Sequence, residues 1–228
     1  VHWVSIQTGE QKLQAVCDRF TLQLDLKREK PLVIHGENGI SKKGPKTGDA
    51  SHYLSFTRLR AQGDLQWNNS FFSLDGLAWM DHEFFTSPPD DEPAGWDWFA
   101  IQLDNREEIM LYRLRTKSGE ADPYSSGTYV DPQGDAHFLN AAQFSLSPGD
   151  AWRSPASGAE YPLSWKISIP SLDLELSEQT LLKDQEIFSR SGISPNYWEG
   201  AVTYEGRIHG QPAHGAGYLE MTGYAHGS

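Results

Sequence analysis

The 228-residue chain reads as an all-β protein of sandwich or barrel type. Three observations lead there. Short runs of alternating apolar and polar residues recur at spacings of roughly ten residues, with turn-forming residues between them. Glycine (21), proline (13) and aromatic residues (12%) are abundant, which suits strands joined by turns. Long helix-forming stretches are scarce.

Taken in order, Phe20, Leu22, Leu24 and Leu26 alternate with Thr21, Gln23, Asp25 and Lys27, the pattern of a half-buried strand. Pro31–Ile34 is a short apolar run. Ser41–Asp49, rich in Lys, Gly and Pro, reads as a mobile surface loop. Tyr53–Arg60 is a strand, Gly63–Asp64 a turn, and Phe71–Met80 a further strand. Trp98–Leu103 and Ile109–Arg115 flank a hairpin loop at residues 104–108. Thr128–Val130 and His137–Asn140 flank Asp131–Gly134, whose residues favour a tight turn. Leu163, Trp165, Ile167 and Ile169 form one core-facing strand, and Leu172, Leu174 and Leu176 another. A short helix is expected near Ser177–Ile187.

The net charge is −12, from 19 basic and 31 acidic residues. That disfavours nucleic acid, whose phosphates need a basic partner surface, and it disfavours an anionic membrane face. The single cysteine, Cys17, rules out an internal disulfide and a multi-cysteine metal site, and its position predicts a buried, inert thiol. No histidine pair has His-x-His or His-x3-His spacing, so no metal site is expected. Neither a Gly-x-Ser-x-Gly elbow nor a phosphate-cradling glycine loop occurs. The chain begins at Val1, which leaves room for a targeting segment upstream.

Ser87–Pro93, with three prolines, is the expected domain boundary. It divides the chain into residues 1–90 and 91–228. The two parts echo each other. Gly76-Leu77-Ala78-Trp79-Met80-Asp81 aligns with Gly215-Ala216-Gly217-Tyr218-Leu219-Glu220, Tyr53–Gly63 with Tyr197–Gly206, and the strand at Phe20 with that at Leu163. The first copy is short, so the expectation is two similar β domains, the first incomplete at its N-terminus.

The chemistry concentrates between Gly76 and Phe99. Three tryptophans, Trp79, Trp96 and Trp98, lie there beside Asp81, His82, Glu83 and Asp97. Alternation along a strand sends Asp81 and His82 to opposite faces unless a bulge intervenes, and separates Asp97 from Trp96 and Trp98. A structural reading therefore stands beside the functional one: Asp81 and His82 as hydrogen-bonding ties, Asp97 as a pin for a neighbouring loop. Tyr112 with Arg113 and Arg115 suggests an acidic ligand tail, against the commoner case of arginines on a solvent face. Trp198-Glu199 suggests a second acid–aromatic site, against a core tryptophan beside a paired glutamate.

Five segments together resemble one family. They are Gly76–Phe84, Gly95–Phe99, Met110–Arg115, Tyr197–Gly200 and Gly215–Tyr224. With the strand at Phe20 they resemble, in order, the AttH and hydroxyneurosporene synthase (carotenoid 1,2-hydratase) proteins, nearest a bacterial branch labelled predicted secreted hydrolases. The resemblance implies an all-β fold of two lipocalin-like domains that hold hydrophobic ligands. The family's activities include adding water to an isoprenoid double bond, hydrating a prenylated flavonoid and pericyclic cyclisation, and these need no cofactor. Alkene hydration needs a strong proton donor, a dry pocket and a placed water. A carboxylic acid kept neutral by burial suits the first need, and aromatic faces that attract cations suit the second. Asp81 or Asp97 is the expected acid and His82 the relay. Trp79, Trp96, Trp98, Tyr112 and Trp198 are the expected ligand-binding residues.

The expected partner is an isoprenoid- or lipid-like small molecule, handled either by hydratase-type chemistry or by a non-catalytic carrier of the same shape. A carbohydrate-binding sandwich is the third reading. The resemblance implies a periplasmic, secreted or lipoprotein-anchored bacterial location. Any peripheral membrane association would come from a segment ahead of Val1.

Overall fold

A computed structural model of the chain describes residues 2–4, 10–46, 48–85, 94–188 and 196–225. The fold is all-β and lipocalin-like. Among the described residues the one helical element is a 3-10 turn at Pro170–Leu172. The chain divides into two compact units, Val1–Ile34 with Tyr53–Glu83, and His35–His52 with Phe84–Ser228. The expected boundary, residues 87–93, lies outside the described residues.

The first sheet contains β1 (His2–Val4), β2 (Gln11–Val16), β3 (Phe20–Arg28), β4 (Val33–Ile34), β5 (Ser41–Lys42), β6 (Ala50–Trp67) and β7 (Ser70–Phe84). Its hydrogen-bonded order is β1-β2-β3-β6-β4, with β5 and β7 also on β6. In β3 the leucines turn inward while Gln23, Asp25 and Lys27 stay exposed, because successive side chains leave opposite faces of a strand. Leu26, Phe56, Leu59 and Ala61 form this unit's core, with Leu24, Ala78 and Met80 against it.

The second sheet contains β8 (Gly95–Leu103), β9 (Glu108–Arg115), β10 (Ser126–Val130), β11 (Ala136–Asn140) and β12 (Ser145–Pro148). A separate pair is formed by β13 (Ala151–Arg153) and β14 (Glu160–Pro162). The sheet continues with β15 (Ser164–Ile169), β16 (Leu174–Gln179), β17 (Glu186–Ile187), β18 (Tyr197–Ile208) and β19 (Gln211–Thr222). The order is β11-β10-β9-β8-β19-β18-β16-β15-β12, with β17 on β18. Phe99, Ile101, Leu111, Trp165, Trp198 and Leu219 anchor a core far larger than the first unit's. Phe99 meets Trp165 edge to face at 5.2 Å between ring centroids. Such a pair adds roughly 0.5–1.5 kcal/mol beyond area burial.

Several sequence expectations change here. No turn occurs at Gly63: β6 runs through it, and the chain reverses at Asn68, which takes φ 52°. Gly63 is needed for close backbone approach, since a Cβ there would stand 1.9 Å from the Gln23 carbonyl oxygen. Gly206 repeats this, its Cβ falling 2.0 Å from the Glu175 oxygen. Gly63 faces Leu24 of β3 and Gly206 faces Leu176 of β16. The strand at Phe20 therefore corresponds to β16, not to the Leu163 strand. The expected helix near Ser177–Ile187 is the end of β16 followed by β17. There the core-facing period of two outweighs local propensity. Cys17 is exposed, because it sits past the end of β2 in the turn to β3. The Ser41–Asp49 stretch pairs Ser41 and Lys42 with Ser51 and Ala50, and Ser41 is buried.

Gly63→Ala and Gly206→Ala should each lower unfolding stability by more than about 1 kcal/mol, because backbone must move to admit the methyl. A Cβ at Gly76 would meet nothing within 4 Å, so Gly76→Ala should stay within about 0.5 kcal/mol of the parent. Urea unfolding measures all three. Equal losses at the three sites would contradict the close-approach reading.

Candidate functional site

In the first unit, β7 places Trp79 and Asp81 on one face by the two-residue period, while Ala78 and Met80 turn to the core. The Trp79 indole Nε1–H donates to Asp81 Oδ1 at 2.7 Å. From β6, Tyr53 donates to Oδ2 at 2.9 Å, and the Ser55 hydroxyl donates to Oδ1. Tyr53 and Ser55 are buried, whereas Asp81 keeps solvent access. Loss of water around the carboxyl pushes Asp81 above its ordinary range, and Glu83's charge adds to this. The three donors favour the ionised form and push the other way. Asp81 is thus an acid held in place by three fixed donors beside an indole. His82 follows on the opposite face of the strand and is exposed.

The second unit holds the remaining candidates. Asp97 lies on the core face of β8 with Phe99 and Ile101 and has no solvent exposure. Arg113 Nε donates to its Oδ2 at 2.7 Å. Arg115 Nη1 and the Tyr224 hydroxyl donate to its Oδ1 at 2.5 and 2.8 Å. Arg113 and Arg115 are therefore not on a solvent face. They share the core-directed face of β9 because its register sets them beside Asp97.

Trp96 and Trp98 leave the other face of β8. The Trp96 indole donates to Glu220 at 2.6 Å and its ring meets Tyr197 edge to face. Glu220 stands opposite both Trp98 and Glu199 in the sheet register. Tyr218 donates to Glu199 at 3.1 Å, and burial beside that charge pushes its hydroxyl up to about 12. An acid–aromatic face thus forms from Trp96, Trp98, Tyr197, Tyr218, Glu199 and Glu220. Tyr112 is buried on the same side of the sheet as its register partner Trp98. Ser126 donates to its hydroxyl at 2.7 Å, Ser41 lies 3.2 Å away, and Lys43 sits 3.7 Å above its ring. His35 nearby is buried and 2.8 Å from the Thr128 hydroxyl. Burial, with Lys43's charge behind it, pulls its pKa down to about 3, so the imidazole is neutral. Trp198 is in the core with no exposure, and its indole donates to the Lys183 carbonyl at 2.7 Å.

One acid escaped the sequence reading. Glu178 extends the inward series Leu174, Leu176 on β16 and has no solvent exposure. Neither carboxyl oxygen has a hydrogen-bond partner among the described residues. Burial pushes its pKa up to about 8, so it is protonated at neutral pH. The signal was present: continuing the period of two past Leu176 puts a glutamate on a core face.

A family model described as AttH-like matches residues 2–224. The chain belongs to the AttH-like family. A solved structure of a protein described as an AttH from Nitrosomonas europaea is 33% identical with a TM-score of 0.87, covering 98% of this chain and 68% of that one. The dehydratase AsqC of Emericella nidulans is 20% identical over 148 residues, 64% of this chain and 42% of that protein. The kievitone hydratase of Fusarium solani subsp. phaseoli is 21% identical over 221 residues, 93% of this chain and 60% of that protein. This AttH-like chain therefore spans about half the length of the curated relatives it matches.

Glu178 gives this AttH-like protein a distinctive pH response. The carboxyl ionises near 4.5 ordinarily and near 8 when folded. A raised folded pKa favours the native state fully below the lower value, and that contribution is lost as pH rises through the higher one. Stability should therefore fall between pH 4.5 and 8, by up to roughly 1.4 kcal/mol per pH unit from this group. Urea unfolding across that window should show the slope in the parent and a flatter profile in Glu178→Gln. Identical profiles would contradict an acid that is protonated when folded.

Proposed function

We propose that this chain carries part of a cofactor-free, hydratase-type activity on an apolar small molecule of isoprenoid or prenylated character, with Asp81 as the proton donor. The observation that carries the reading is the Asp81 carboxyl, raised above its ordinary range, set by Tyr53 and Ser55, and joined to the Trp79 indole. Membership of a family whose relatives include proteins named hydratase and dehydratase supports it.

The chemistry runs as a proton exchange. Protonated Asp81 gives its proton to one alkene carbon, and the π electrons form the new C–H bond. The cation at the other carbon faces the electron-rich indole, an attraction of about 1–2 kcal/mol when desolvated. Water adds there and returns a proton to the Asp81 carboxylate. Tyr53, Ser55 and Trp79 hold that carboxylate between turnovers, and the reverse sequence is dehydration. The donors also favour a second reading, a carrier in which Asp81 is a tie within the sheet, because three hydrogen bonds serve an ionised carboxylate well.

Kievitone is the first probe, followed by prenylated and isoprenoid alkenes, with product formation read as gain of one water by mass spectrometry. Asp81→Asn should cut turnover by roughly 10²–10⁴-fold, the usual contribution of a general acid, while ligand binding persists. Unchanged turnover in the variant removes Asp81 from the chemistry. Binding without turnover in the parent supports the carrier.

A further inference from the structure

We propose that the second unit holds a separate binding site for a small organic monocarboxylate, between the Asp97–arginine cluster and the β13–β14 pair. This stands independently of the role assigned to Asp81. A half-open pocket of about 410 Å³ lies there. Arg115, Arg153, Ser157, Ala159, Glu160 and Tyr224 contribute to its wall.

Charge balance is the first argument. The single carboxylate of Asp97 is shared by two guanidiniums, those of Arg113 and Arg115. The side chains are 14% and 7% exposed, and that of Asp97 is not exposed at all. Among the described residues no second countercharge joins this nearly dry cluster, and buried charge is costly unless paired. Arg115 also has donors to spare. It uses Nη1 on Asp97 and Nη2 on the Thr222 carbonyl, out of the five N–H groups a guanidinium carries.

The wall chemistry is the second. The Arg153 guanidinium is exposed and has no hydrogen-bond or ion-pair partner among the described residues. Two arginines thus border one pocket, and the planar fork of each matches a carboxylate. The Tyr224 ring, 4.0 Å from the Arg115 guanidinium carbon, and Ala159 supply apolar surface beside them. The acids nearby set the valence of the ligand. Glu160 stands on the wall directly across the ladder from Arg153, with no ion pair to either arginine among the described residues, and Glu186 is engaged by the hydroxyls of Ser154, Ser157 and Tyr161. These negative charges oppose a dianion and leave a monoanion with an apolar body as the better fit.

Benzoate is the probe, titrated into the whole chain at pH 7 with benzyl alcohol and inorganic phosphate as controls, by calorimetry and by ring-proton NMR. Benzoate should bind one to one at millimolar concentration or tighter and shift the Tyr224 ring signals. Arg153→Gln, on the surface and outside the cores, should bind it about tenfold more weakly, the loss expected for one charge-assisted contact. Arg153→Glu should abolish binding. Benzyl alcohol and phosphate should bind at least about tenfold more weakly than benzoate. The proposal is overturned by equal binding of benzoate and benzyl alcohol, by tighter binding of phosphate, by an unaffected Arg153→Gln, or by no benzoate binding at about 10 mM.

Discussion

A carboxyl group that a β-sheet draws away from water must either receive donors or keep its proton, and this chain answers that constraint in three ways. Asp97 receives two guanidiniums and a tyrosine hydroxyl, and by doing so links β8, β9 and the segment after β19. Glu178 receives nothing from the described residues and keeps its proton. Asp81 lies between these extremes. It has three donors, yet its surroundings still push its pKa up. An acid in that intermediate state is the one the proposed chemistry calls on, because it has both a push toward the protonated form and donors for the ionised one.

The three environments follow from strand geometry. The period of two decides which acids face inward: Asp97 beside Phe99, and Glu178 after Leu176. Register then decides what meets them. Asp97 lies opposite Arg113 across β8 and β9, whereas Glu178 lies between Trp165 and Tyr204, which leaves its oxygens among rings. Asp81 draws its donors from two strands of one hairpin, β6 and β7, so its setting belongs to the first unit alone.

Much of this was legible in the residues. The alternation at Phe20 and at Leu163 announced strands, and the Gly76–Phe99 stretch announced a concentration of acids and indoles. The echo between Gly76–Asp81 and Gly215–Glu220 has a local counterpart, since both stretches put an aromatic two residues before an acid on one strand face. What escaped depended on neighbours distant in sequence. Gly63 looked like a turn because the Gln23 carbonyl that demands a glycine lies on another strand. The donors Tyr53 and Ser55 sit 28 and 26 residues from Asp81. Arg113 and Arg115 looked solvent-facing because an inward arginine is credible only once its buried partner is known. Glu199 and Glu220 join Trp96 and Trp98 only through the β8–β19–β18 register.

The direct test of the account is the ionisation of Asp81 itself. Side-chain carboxyl ¹³C signals of aspartate can be followed by NMR against pH, with Asp81 assigned by its absence in an Asp81→Asn sample. The midpoint should lie above the ordinary aspartate value of 3.8 and be tracked by the Trp79 indole N–H signal, because the two groups share a hydrogen bond. A midpoint at or below that value would mean that the donors outweigh the loss of water. Asp81 would then be a fixed carboxylate and not a proton donor.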